Sequence, residues 1–211
     1  AAPNSLSHNV VESIYEDEDG VLWIGTGGGG LNKLLSENLA TNLSTQGADG
    51  LEFVHYRTLV NSLASGVAKS VYVDASGVLW IGNHGGGLNK LLVSDIGEFR
   101  QDNDIFVHYQ TSFKDPQGLG RDIIWTIYED HGGGLWLGTH GRGLGKFDRE
   151  SETFTHYLRD PDNPRSLSHN VVFSIYEDPS GVLWIGTGGG GLNRFDREHG
   201  TFVHYKQRDG L

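Results

Sequence analysis

The sequence predicts an all-β chain made of four copies of one unit, and three observations carry that prediction. Trp23, Trp80, Trp136 and Trp184 each sit in a near-copy of Gly-x-Leu-Trp-Ile-Gly-Thr/Asn, at intervals of 57, 56 and 48 residues. A second marker, Phe-x-His-Tyr, recurs in step at 53–56, 106–109, 154–157 and 202–205. Residues 20–32 and 181–193 are the same thirteen-residue string, GVLWIGTGGGGLN. A period near 50 residues means one supersecondary unit laid down repeatedly, each copy burying its apolar faces against its neighbours.

Residues 166–205 show the unit most plainly. The run 171–176 alternates Val, Phe and Ile with Val, Ser and Tyr, the pattern of a strand. Residues 177–181 (Glu-Asp-Pro-Ser-Gly) make a turn, with Asp bonding amides ahead of it and Gly in the left-handed position. A second strand runs from 182 to 187, glycines 188–191 turn the chain, 192–195 form a third strand and 201–205 a fourth. Four short antiparallel strands per repeat is the unit of a β-propeller blade. The blades fall at 5–56, 62–109, 119–157 and 166–205, within a single propeller domain spanning 1–211. Blades 1 and 2 carry insertions at 36–52 and 93–105, loops by their Ser/Asn/Gly/Asp content. Four blades can close on themselves, or two chains can join through blades 1 and 4 into an eight-bladed homodimer. The repeated tryptophans are expected to pack between facing blades.

Composition narrows the function classes. The chain has 211 residues, 32 of them Gly, which suits many tight turns between short strands. A formal net charge of −11 argues against nucleic acid and against an anionic membrane surface as partners. The absence of Cys removes thiol catalysis, disulfides and thiolate metal sites. No run approaches the roughly 18–20 apolar residues of a membrane span, and no signal-peptide pattern opens the sequence.

The run SLSHNVV-x-SIYED-x-x-GVLWIGTGGGGLNRFD…GTFVHY resembles the two-component regulator propeller repeat. That family supplies the sensory propellers of hybrid histidine kinases. The resemblance implies a periplasmic or extracellular, non-enzymatic propeller that senses a ligand, often a carbohydrate breakdown product.

Chain direction puts the loops leading into the first strands and the glycine loops on one face of the blades. That face supplies the candidate ligand-binding residues His8, Asn9, Asn83, His84, Arg121, Asp122, His140, Arg142, His169 and Asn170. His84, His140 and Arg142 stand where other copies have Gly, and blade packing does not demand them. The expected ligand is a small polar molecule or oligosaccharide. The alternative role for His8 and His169 is capping of strand ends. An enzymatic alternative, a propeller lyase or hydrolase, would draw on Arg121, Asp122, His140 and His169; a third reading is a purely structural repeat. Gly25-x-Gly27-x-x-Gly30 matches the dinucleotide fingerprint in letters, but a strand follows where the pyrophosphate needs a helix. No cofactor or metal is expected: His55, His108, His156 and His204 are spread one per blade and read as partners within it. Asp17, Asp74, Asp130 and Asp178 read as turn caps. Asn42-Leu43-Ser44 is a glycosylation sequon in an inserted loop.

Overall fold

The computed structural model describes residues 5–34, 52–57, 63–92, 105–109, 119 and 122–210. Residues 36–51 and 93–104 of the insertions, the sequon and Arg121 lie outside them. The described residues form four antiparallel four-stranded sheets, each with its strands in sequence order. Blade 1 comprises Val11–Glu16, Leu22–Thr26, Gly30–Leu34 and Phe53–Tyr56. Blade 2 comprises Ala68–Val73, Leu79–Asn83, Leu88–Leu92 and Ile105–Tyr109. Blade 3 comprises Ile124–Glu129, Leu135–Thr139, Leu144–Asp148 and Thr153–Tyr157. Blade 4 comprises Val172–Glu177, Leu183–Thr187, Gly191–Asp196 and Thr201–Tyr205. The chain divides into two compact units, Ala1–Tyr109 and Gln110–Leu211, each holding two blades.

One side chain organises the first hairpin of every blade. Asp130 Oδ1 accepts the amides of Gly132 and Gly134, at 3.0 and 2.7 Å, while Oδ2 accepts the Trp136 indole N–H at 2.6 Å. Asp17, Asp74 and Asp178 repeat this arrangement, each taking the indole N–H six residues on at 2.6–2.8 Å. The turn needs a left-handed residue, and Gly20, Gly77, Gly133 and Gly181 supply it at φ between 77° and 84°. The capping role read for these carboxylates therefore holds, and it extends to the tryptophans. Satisfying the indole lets its apolar body enter the core: Trp23, Trp80 and Trp136 are no more than 2% exposed. Burying one such ring contributes roughly 4–6 kcal/mol at about 25 cal/mol per Å².

Within each unit the face of one blade that carries its tryptophan packs on the opposite face of the next blade. In the first unit Trp23, Leu31 and Tyr56 share a buried cluster with Ala68, Val71 and Ile81. In the second, Trp136 and Leu144 share one with Val172, Ile175 and Ile185. Glycine on the second strand permits the approach, since a Cβ on Gly25 would stand 2.5 Å from the Ala68 carbonyl oxygen, and one on Gly138 would stand 2.8 Å from that of Val172. Each of the four Phe-x-His-Tyr histidines bonds within its own blade, as expected. His55 and His204 reach the carbonyls of Ser5 and Ser166, His108 reaches Asn89 and His156 reaches the Arg142 carbonyl.

Candidate ligand-binding face

The loop leading into a first strand and the glycine loop of the same blade do lie side by side. Blade 3 shows how tightly they are joined. Asp122 Oδ2 accepts the amides of Gly141 and Arg142, both at 2.8 Å, and Oδ1 accepts that of Ile123 at 2.8 Å. Thr139 Oγ1 also accepts the Arg142 amide, at 2.8 Å, and His140 donates its backbone N–H to the Ile123 carbonyl at 3.0 Å. The next blade joins in, because Gly143 donates to the Asn170 carbonyl at 3.0 Å and Asn170 Oδ1 accepts the Arg159 amide at 2.7 Å. Asp122, His140, Arg142 and Asn170 are therefore brought together on a fixed backbone, with the His140 side chain exposed.

The remaining expected residues sort differently. His8 and His169 each accept, through Nδ1, the amide two residues on at 3.1 Å, so both rings cap strand starts. Asn83 is fully buried and spends its amide group on the carbonyls of Ser65 and Val67. It supports the loop from beneath and presents nothing to a ligand. Asn9 and His84 are exposed, and the His84 carbonyl accepts the Ser65 hydroxyl at 3.0 Å.

A feature of the first strand of each blade was not anticipated. Every first strand carries a β-bulge at the same place, between Val11 and Ser13, Ala68 and Ser70, Ile124 and Thr126, and Val172 and Ser174. A bulge inserts one unpaired residue and re-aims its side chain. Those residues are Glu12, Lys69, Trp125 and Phe173. In the first unit they form an ion pair, with Lys69 Nζ 2.7 Å from Glu12 Oε1. In the second they form an aromatic pair, Trp125 and Phe173 meeting edge to face at 5.4 Å. The His140 ring lies 6.4 Å from that of Trp125, and Phe173 is 50% exposed. The signal was present in the sequence: residues 5–17 and 166–178 are identical except at Glu12 and Phe173. Trp125 is also the one tryptophan of five outside the repeated motif.

Four-stranded antiparallel blades repeated along one chain define a β-propeller repeat protein. Residues 5–28, 113–141 and 166–189 match the family described as two component regulator propeller. It is similar to the extracellular domain assigned to the hybrid two component system BT3049 of B. thetaiotaomicron. That likeness is 28% in identity over 95% of this chain and 25% of the other, with a TM-score of 0.71. The extracellular domain assigned to the one component system BT4673 of B. thetaiotaomicron shares the fold at 23% identity, over 95% of this chain and 24% of that one, with a TM-score of 0.63. So does virginiamycin B lyase of Staphylococcus aureus, at 13% identity over 93% of this chain and 55% of that one, with a TM-score of 0.62. The chain spans about a quarter of the length of the first two. A comparison with curated proteins finds no match. Among the described residues no helix is long and apolar enough to cross a membrane.

Proposed function

We propose that the chain is a non-enzymatic recognition propeller of the extracytoplasmic sensor kind, taking a carbohydrate on the second unit. The observation that carries this reading is the Trp125–Phe173 pair beside His140, at bulge positions that the first unit fills with an ion pair. A pyranose presents C–H groups on one face and hydroxyls around its edge. An aromatic ring takes the first through its electron-rich face, and a polar rim takes the second. His140, Arg142 and the Asn170 amide supply that rim. The loop that holds them is already ordered, so little conformational freedom is lost on binding. The carboxylate of this loop, Asp122, accepts three backbone amides, which suits a structural role and not proton transfer. The likeness to the BT3049 extracellular domain supports an extracytoplasmic setting.

Calorimetric titration with a panel of neutral xylo-, cello-, malto- and manno-oligosaccharides tests the reading, with Trp125→Ala, His140→Ala and Arg142→Ala alongside. At least one member is expected to bind, and Trp125→Ala should weaken it about tenfold or more, roughly 1.4 kcal/mol. Binding unchanged in all three variants would place the site elsewhere, and a silent panel would reject the carbohydrate.

A further inference from the structure

Donors and acceptors on the second unit's candidate face are unequally spent. Nearly every side-chain acceptor that the leading loops and the glycine loop bring there is engaged by the protein itself. Asp122 Oδ1 takes the Ile123 amide, and Oδ2 takes those of Gly141 and Arg142. Thr139 Oγ1 accepts the Arg142 amide at 2.8 Å, while its own proton goes to the Gly143 carbonyl at 3.1 Å. Asn170 Oδ1 is taken by the Arg159 amide, His169 Nδ1 by that of Val171, and Ser168 Oγ by Asn193 Nδ2 at 2.7 Å. Among the described residues of these loops, the side-chain acceptor that remains is one ring nitrogen of a neutral His140.

The donors are not spent in this way. With Oδ1 engaged, the Asn170 amide keeps both Nδ2 hydrogens to give, and a neutral His169 carries its proton on Nε2. Arg159, whose backbone lies against Asn170, is exposed. Arg142 stands on the same loop as His140, its backbone fixed by Asp122 and Thr139. A guanidinium donates and never accepts.

A neutral sugar leaves such a rim half used, since each hydroxyl that accepts a bond also brings a proton needing an acceptor. A carboxylate brings none, and its two oxygens match the planar guanidinium fork. Charge assistance makes each such bond about twice as strong as a neutral one. The net charge of −11 does not forbid an anion here, because at about 0.15 M salt exposed charges beyond about 8 Å are largely screened. The nearby carboxylate, Asp122, has its charge spread over three amides.

Resting on the reading of this face as a sugar site, we propose that the sugar it selects is acidic. Its ring lies on Trp125, and a uronate carboxylate is held by Arg142, Arg159 and the Asn170 amide group.

Calorimetry on matched pairs separates this from the broader reading. Each pair sets a neutral oligosaccharide beside the same chain with one hydroxymethyl group oxidised to carboxylate, or, in the xylo series, with one glucuronic acid branch. The acidic member should bind about tenfold or more tightly. Arg142→Gln and Arg159→Gln leave the backbone donors in place. In both, the neutral affinity should hold within about threefold, and in at least one the acidic preference should fall to about threefold or less. Trp125→Ala should weaken both members alike. An acidic member that binds no better than its neutral partner, or a preference untouched in both arginine variants, would overturn this inference and leave the sugar site standing. Silence from both members would remove the sugar site itself, and this inference with it.

Discussion

Replacing Asp130 by Ala isolates what the aspartate–indole link is worth. Asp130 is 5% exposed and accepts four donors: the Gly132 and Gly134 amides, the Trp136 indole and Arg197 Nη1 at 2.6 Å. The turn lies at the surface, so its two amides can find water after truncation. The Trp136 indole cannot, because its residue is 2% exposed, and stranding such a donor costs about 1–3 kcal/mol. Arg197 is 36% exposed and also bonds Glu177 at 2.6 Å, so losing one partner adds about 1 kcal/mol or less. The sum is about 1–4 kcal/mol, which for a chain of this size lowers the melting midpoint by roughly 2–16 °C. Thermal unfolding followed by circular dichroism measures it, with Asp148→Ala as the comparison. Asp148 caps an exposed turn through the Glu150 and Ser151 amides but holds no indole. Equal losses in the two variants would show that turn capping alone matters and would refute the reasoning.

Other outcomes follow from the same structure. The Ser180 hydroxyl and Trp184 indole, with the Val182 and Ser180 amides, hold the Asp178 carboxyl at about 2, below its ordinary 3.8. A depressed carboxylate stabilises the fold above its unfolded value, and that contribution disappears as pH falls through the folded one. The gap in melting midpoint between the unaltered protein and Asp178→Asn should therefore be full above about pH 4 and close by about pH 2; a gap independent of pH would contradict this. Gly138→Ala sets a Cβ against the Val172 backbone and should destabilise by about 2 kcal/mol or more, whereas Gly77→Ala meets no atom within 4 Å and should lose less, through its positive φ alone. Denaturant midpoints separate them. Glu12→Ala removes the Lys69 ion pair at a partly exposed site and should change stability by about 1 kcal/mol or less, measured in the same way.

The blades were legible because their cause is local and repeated. Alternation, the Asp-x-x-Gly turn and the recurring indoles all act within a few residues of each other, and each strand expected in blade 4 appears within one residue of its observed bounds or shares most of them. The candidate face was legible in outline, since topology alone places the leading loops beside the glycine loops. Its detailed chemistry was not. Asn83 looked like a substitution on a surface loop, yet an Asn side chain can satisfy two carbonyls and so replaces the Thr of other blades underneath that loop. His8 and His169 turned their rings onto the backbone, the strand-end capping that the sequence offered as their alternative role. The bulge residues escaped because they sit inside a strand whose alternation they interrupt. Only the pairing register shows that Trp125 and Phe173 stand outside it.

The claim on which the functional account rests is that Trp125 is the ligand-facing indole while the other four are each tied to the turn aspartate of their own blade. An NMR spectrum of protein labelled with nitrogen-15 in its five tryptophans tests this at atomic resolution. On titration with the oligosaccharide panel the account predicts that one indole signal moves, and that it is the signal missing from Trp125→Phe. The four indoles bonded to Asp17, Asp74, Asp130 and Asp178 should stay in place. Movement of any of those four with Trp125 stationary, or no movement with any sugar, would contradict it.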